Sequence, residues 1–518
     1  MAVGPLALTP RLGLGAAALV VALILAALVA VGARAEVTSG LGPADWAALR
    51  FTVLQAVLSA LLSVGLAVPV ARALARRRFP GRGLLVTLLG APFILPVIVA
   101  VLGLLAVFGR SGWLNTLLAA MGLPVVSIYG LHGVVLAHVF FNLPLATRLL
   151  LQAWQGVPAE RFRLAAQLGL TPRAMWLAIE APLLRQTVPG ALALIFVICL
   201  TSFAVALTLG GGPSATTLEL AIYQAFRFDF DLGRAALLSL VQLIVAGGAA
   251  QLALWLIPPI GLGGGLGRPV QRWDGAGWWR RLADALLIGA AALFLLLPLG
   301  AVLLRGLAGL PQVPASVYHA AGFSLVTALA SVVLMLALAL PMAGWIATRR
   351  KGGVEAVGLL GLSASPLMIG TGWFILINPV TDPLRLALPV TALVNALMAL
   401  PFALRILVPP LRETLADYGR LSLSLRITGW PLWRWVILPR LWVPLGFATG
   451  LTAALSMGDL GVIALFADPD RVTLPLQMYR LMGAYRMEAA AGAGLLLLGA
   501  SLLLFWLFER GGRWLADT

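Results

Sequence analysis

RLAAQLGLTPRAMWLAIEAPLL (163–184) and RLSLSLRITGWPLWRWVILPRL (420–441) are two copies of one segment. At an offset of 257 they share Arg163/Arg420, Leu164/Leu421, Leu168/Leu425, Thr171/Thr428, Trp176/Trp433, Pro182/Pro439 and Leu184/Leu441. The offset runs back to LPLATRLL (143–150) and LPFALRIL (400–407). It runs on, at 256, to Thr217-Leu218/Thr473-Leu474 and Tyr223/Tyr479. FTVLQAVLSALLSVGLAVPV (51–70) resembles FSLVTALASVVLMLALALPM (323–342). A repeat of this length, half of a 518-residue chain, makes the protein a duplication.

The sequence around these segments is apolar. Hydrophobic residues make up 61% and charged residues 11%, against roughly 25% charge in a soluble domain. No globule in water hides that much apolar sequence, so the chain is a polytopic membrane protein. A span needs about 20 apolar residues. Twelve are read, at about 13–33, 51–73, 84–106, 131–153, 188–210, 235–257, 283–305, 323–347, 356–377, 386–408, 443–466 and 488–508. The fold class is all-α, with about 12 transmembrane helices in two six-helix halves. Six spans per half make the repeat parallel, about an axis along the membrane normal. The halves are 1–257 and 283–518, joined by a cytoplasmic linker at 258–282.

With the N-terminus inside, 26 of the 36 basic residues fall in inside segments. This positive-inside bias sets both termini inside. The same clustering explains the net charge of +17 without nucleic acid. The first span ends near Ala33-Arg34-Ala35, a signal-peptidase-like pattern. Its 20-residue length favours an uncleaved anchor.

Several chemistries are excluded. Cys199 is the single cysteine, and His132, His138 and His319 are scattered, so no zinc spacing exists. Lys351, the only lysine, is followed by glycine. A P-loop needs Gly-Lys-Ser/Thr, so any ATPase is another subunit. No nucleophile–base pair, paired carboxylate or metal cluster appears, and no enzymatic site is expected.

The repeated segments lie in the longest inside loops, 154–187 and 409–442. In the first, a helix runs to Leu168 and Gly169 supplies a positive-φ end. Thr171 then offers an N-cap and Pro172 opens a second helix. Met175, Trp176 and Ile179 fall on one face as an exposed patch, and Pro182 ends the helix. A structured loop with such a patch is a docking surface. Arg426 replaces the glycine in the second copy.

The spacing of Gly169, Ile179 and Pro182 resembles the EAA loop of binding-protein-dependent ABC importer permeases. The E-A-A positions themselves hold Arg163-Leu164-Ala165 and Arg420-Leu421-Ser422. Longer strings, among them ALARRRFPGR (73–82), GLHGVVLAHVFFNLPLATRLLLQA (130–153), LGGGPSATTLELAIYQA (209–225) and MGDLGVIALF (457–466), resemble the thiamine-transporting branch of that family over about 50–510.

The resemblance implies a type I importer fold in the bacterial inner membrane. It implies a periplasmic binding protein, a cytoplasmic ABC ATPase dimer holding ATP and Mg²⁺, and thiamine or thiamine phosphates as cargo. No cofactor is expected on this chain itself. It assigns ATPase docking to Arg163, Leu164, Ala165, Gly169, Leu170, Thr171, Trp176, Ile179 and Pro182. In the second copy it assigns Arg420, Leu421, Ser422, Arg426, Thr428, Trp433, Val436 and Pro439. Fused permeases for iron(III) or another small solute share the duplication, and a twelve-span secondary transporter shares the two parallel halves.

Three polar residues inside spans are candidate path residues: Asp459, Asn142 and Asn395. A charge at mid-membrane costs roughly 2.5–3.5 kcal/mol on insertion scales and therefore faces the bundle interior or water. A capping role at a broken helix also fits Asp459, and interhelical hydrogen bonding also fits the asparagines.

Overall fold

The computed structural model describes residues 9–36, 40–90, 92, 94–212, 215–256, 276–348, 365–466 and 471–517. Every regular element among them is helical. The first half contains α1 (Thr9–Arg34), α2 (Pro43–Arg76), α3 (Arg82–Leu88), α4 (Val97–Phe108), α5 (Trp113–Ala120) and α6 (Leu131–Gln155). Then come α7 (Ala159–Gln167), α8 (Pro172–Met175), α9 (Ala181–Leu200), α10 (Ala204–Leu209), α11 (Leu218–Arg227) and α12 (Leu232–Leu256). The second half contains α13 (Trp278–Gly309), α14 (Ala315–Thr348), α15 (Pro366–Ile377), α16 (Ala387–Ser424) and α17 (Trp430–Leu432). It ends with α18 (Leu438–Met457), α19 (Gly461–Phe466), α20 (Leu474–Gly483) and α21 (Met487–Asp517).

Eleven described helical segments are long and apolar enough to cross a membrane. The protein is an all-α polytopic membrane protein. The expected ninth span, 356–377, is described only from 365, where α15 is apolar but 12 residues long. Most of the expected linker, 258–282, also lies outside the described residues.

Packing repeats with the sequence. In the first half α2 packs on α6 and α9, and α9 on α12. In the second, α14 packs on α16 and α18, and α18 on α21. The last pair is close because Gly446 and Gly450, one turn apart, admit the backbone of Phe505 and Phe508. The first helix of each half crosses to the other. α1 packs on α14 and α15, burying Ala17, Val20, Ile24, Ala27 and Val31 at alternating steps of three and four. α13 packs on α2 and α4, where its buried Asp284 receives Arg76 and Arg77 from the end of α2. Lipid offers no hydrophobic drive between helices, so close side-chain packing and these ion pairs carry the cross-half association.

Three expected spans are interrupted. The span at 84–106 divides into α3 and α4, because Pro92 and Pro96 lack the N–H and fix the backbone where a continuous helix would run, next to the weak helix former Gly90. The spans at 188–210 and 443–466 break at Thr201–Phe203 and Gly458–Leu460, 257 residues apart. By contrast α6 and α16 run continuously through Pro144 and Pro401.

Candidate functional site

Both repeated loops close with one backbone turn. Gly169 has φ +61, its N–H donates to Ala166 O at 3.1 Å, and the Leu170 N–H donates to Ala165 O at 3.0 Å. Arg426 has φ +55, its N–H donates to Leu423 O at 3.1 Å, and the Ile427 N–H donates to Ser422 O at 2.8 Å. The second copy thus keeps the turn and accepts a left-handed arginine, at a cost of roughly 1–2 kcal/mol. Thr171 caps α8, accepting the Ala174 N–H at 3.2 Å, with Pro172 at its start. Gly429, not Thr428, is the N-cap residue of α17.

Pro182 and Pro439 do not end their helices. Each falls in the first turn of a span that continues from a π-helical turn, Trp176–Glu180 and Trp433–Ile437. The Ala181 N–H reaches back five residues to Trp176 O, and the Leu438 N–H to Trp433 O. A proline ring would collide with the carbonyl four residues before it, and the wider turn makes room.

Met175 is also not part of an exposed patch. It is 1% exposed and packs on Val157, Phe162 and Ala165, with Leu170 and Ile179 half-buried beside it. Its spacing with Trp176 and Ile179 identifies a shared face, but not the side on which the rest of the loop lies. The outward apolar face is instead Leu164, Leu168 and Leu177; in the second loop Leu421 and Leu425 match the first two, Arg434 stands at the third position, and Trp430 and Trp435 are exposed beside them. Arg163, Gly169, Thr171, Pro182, Arg420, Arg426, Thr428 and Pro439 are exposed with it. Ala165 and Ser422 are buried, and Trp176, Trp433 and Val436 are half-buried.

The sequence reading missed the anchor of the first loop. Glu180 is fully buried and accepts Arg72 Nε at 2.8 Å and Arg72 Nη2 at 2.7 Å, and Trp154 Nε1 at 3.2 Å. The Arg72 guanidinium also lies 4.8 Å from the Trp176 ring centre. One carboxylate therefore ties the loop to the ends of α2 and α6. The only available signal was an acid in an otherwise apolar stretch, WLAIEAPLL (176–184). The matching position in the second loop is Ile437, fully buried in apolar packing.

The helix breaks form a second repeated feature. At Gly458–Leu460, Asp459 Oδ1 accepts the Gly461 N–H at 3.2 Å and so caps α19. Its Oδ2 is buried without a hydrogen-bond partner among the described residues. Ser202 occupies the matching position of the other break. Just before the breaks, Asn395 Nδ2 donates to Ser456 Oγ at 3.0 Å, and Asn142 Nδ2 to Cys199 Sγ at 3.4 Å. Cys199 and Ser456 are repeat partners, so both asparagines tie a continuous span to a broken one. Glu219 was not singled out either. It is fully buried on α11 and accepts Gln242 Nε2 at 3.2 Å.

At the end of the bundle opposite the loops are the short helices α11 and α20, and Tyr223 of α11 packs on Phe203 in the first break. Their first N–H groups are held alike: Leu218 N–H donates to Thr52 Oγ1, and Leu474 N–H to Ser324 Oγ, each at 2.8 Å. Tyr223 and Tyr479, 256 apart, line one cavity of about 380 Å³. Burial raises the Tyr479 phenol above its ordinary pKa, and Tyr223 adds to the shift. A second cavity, of about 410 Å³, is also lined by Tyr479 and Leu207.

No family model matches the chain. It is 43% identical over 516 residues to the thiamine transport system permease protein ThiP of Escherichia coli K12, with 96% of each chain covered. It is 42% identical over 520 residues to the protein of the same name from Salmonella typhimurium, again with 96% of each covered. The Brucella abortus protein is 39% identical over 508 residues, covering 94% of this chain and 92% of the relative.

Proposed function

The chain belongs to the family of thiamine transport system permeases, and on that premise we propose how its parts divide the work of an ATP-driven importer. It is the membrane-spanning permease, and it translocates thiamine across the inner membrane. Both halves are present in one chain, so one copy supplies the whole path. The repeated loops face the cytoplasm, with both termini on that side. A separate ATPase dimer docks on the outward leucine and tryptophan faces, and ATP and Mg²⁺ are bound there. A periplasmic binding protein delivers thiamine or its phosphates to the opposite end.

One observation carries this division: the same turn closes both loops, at Gly169 and Arg426, despite different residues. Two matched surfaces at one end of a pseudo-twofold bundle suit a dimeric partner. When the ATPase subunits move together, the loops move with them, and the continuous π-turn into α9 and α18 passes that motion to the broken helices. Asp459 lines the path there. Its unpartnered buried oxygen suits the fixed positive charge of a thiazolium ring, while Asn142 and Asn395 hold the broken spans in place.

The test is co-purification and thiamine-dependent ATPase activity in liposomes, with and without loaded binding protein. Leu168→Asp and Leu425→Asp change exposed residues, so the fold tolerates them. Together they should abolish ATPase association. Retained association would refute the docking role. A complex that associates but ignores thiamine-loaded binding protein would refute the cargo.

A further inference from the structure

The two cavities at the outer end share lining residues and differ in charge. The first is lined by Tyr223, Tyr479 and Phe228, and the second by Tyr129, Tyr479 and Tyr485. The Tyr223 ring also packs at 5.2 Å on Phe203, inside the first helix break. Its lining cation, Arg234, is paired with Asp45 at 2.7 Å and lies 3.8 Å from Asp229. The second cavity is lined by Arg110 and Arg305 and by no carboxylate. Among the described residues no acid pairs with either arginine. Arg305 is fixed at the end of α4, where Nη2 donates to Ala106 O at 3.2 Å and Ser111 O at 3.4 Å. Tyr479 and Leu207 line both cavities, and Leu207 lies on α10, the short helix that follows the break.

We propose that the two cavities form one receiving site, in which the cargo's rings lie against Tyr223, Tyr479 and Phe228 while an anionic phosphoryl tail is held by Arg110 and Arg305. The proposal rests on the thiamine reading and adds where phosphorylated and unphosphorylated cargo are told apart. Aromatic faces attract a flat organic cation. A guanidinium fork matches phosphate oxygens in pairs and stays charged throughout. Each cavity is of the size ordinary small-molecule sites have, roughly 300–1,000 Å³. Tyr479 and Leu207 line both cavities, so a cargo with rings at one end and phosphate at the other meets both linings about this shared border. The site borders the break at Thr201–Phe203, through Leu207 and the packing of Tyr223 on Phe203, so cargo bound there is next in line for the path.

Uptake of thiamine and of thiamine diphosphate is measured separately, in liposomes holding the chain, its ATPase and loaded binding protein. The double variant Arg110→Gln/Arg305→Gln should lower thiamine diphosphate uptake about tenfold or more and leave thiamine uptake within about twofold. Thiamine uptake in the same vesicles reports that the variant is folded. Tyr479→Leu should lower both. Equal loss of both compounds in the double variant would overturn the proposal, since the arginines would then serve the fold or the binding protein's docking. No loss of either would overturn it as well. If the unsubstituted complex carried neither compound, the thiamine reading would fail and the proposal with it.

Discussion

Replacing Glu180 with glutamine removes one charge and little volume, which makes it a sharp probe of how the first loop is held. In the native protein the carboxylate accepts two hydrogen bonds from Arg72 and one from Trp154, at 2.7–3.2 Å, and is fully buried. A net hydrogen bond to a charged group is worth roughly 1.5–3 kcal/mol. Glutamine keeps an acceptor for one partner and loses the charge on the Arg72 fork. Arg72 is 25% exposed, so water recovers part of the loss, and a cost of about 2 kcal/mol results. At 1.4 kcal/mol per tenfold change, the ratio of anchored to released loop falls by roughly thirtyfold. The expected result is a lower melting temperature of the detergent-solubilised complex and less thiamine carried per ATP hydrolysed. Glu160→Gln is the control. Its pairing with Arg163 spans 3.9 Å and both side chains are about three-quarters exposed, so it should change nothing measurable. Unchanged melting and unchanged coupling in Glu180→Gln, or equal effects in both variants, would refute the anchoring argument.

Gly169→Ala should cost about 1 kcal/mol in thermal stability, from backbone strain alone, because a Cβ there meets open space. Arg426→Gly should not destabilise at all, and a melting curve that falls for Arg426→Gly would show the second turn is held by its side chain. Asp459→Asn should reduce thiamine uptake about tenfold without weakening ATPase co-purification, and wild-type uptake would remove Asp459 from the path. Thr52→Val leaves the first N–H of α11 without its acceptor, a loss of roughly 1–3 kcal/mol. Ser324→Ala should do the same to α20, and hydrogen exchange at Leu218 and Leu474 is the readout.

The hydropathy pattern located the spans because membrane thickness imposes a length that no other fold demands. It could not locate their interruptions equally well. Gly90, Pro92 and Pro96 are written into the third apolar run and mark the separation of α3 from α4. Gly458, Asp459 and Gly461 mark the second helix break, whereas Thr201-Ser202-Phe203 carries no breaker and was read as continuous. That break is visible from the repeat alone, by placing Ser202 on Asp459. Met175 was misread because helical spacing groups residues without saying which group faces the protein. The prolines at 182 and 439 suit either role, because a proline's missing N–H is tolerated both at a helix end and in the first turn after a π-turn. The first loop is also a separate helix where the second is not. Gly156 and Pro158 interrupt the chain between α6 and α7, while Glu413 and Leu415 at the matching positions let α16 run on to Ser424.

Comparing the halves separates what the scaffold demands from what the cargo demands. Where the copies hold different residues in one geometry, the geometry is the requirement. Glycine and arginine both take the left-handed turn, and glutamate with its arginine does in one loop what isoleucine does in the other. Thr52 and Ser324 both cap a short outer helix. At the helix breaks the geometry is again shared, yet one side carries a carboxylate and the other a hydroxyl. A buried, half-partnered carboxylate is costly, and Ser202 demonstrates that the break forms without one. At Asp459 one oxygen caps α19, and only the buried Oδ2, without a partner among the described residues, goes beyond what the break needs. Under the proposed function, that oxygen is what a cationic cargo meets on one side of the path, where the other side offers the Ser202 hydroxyl.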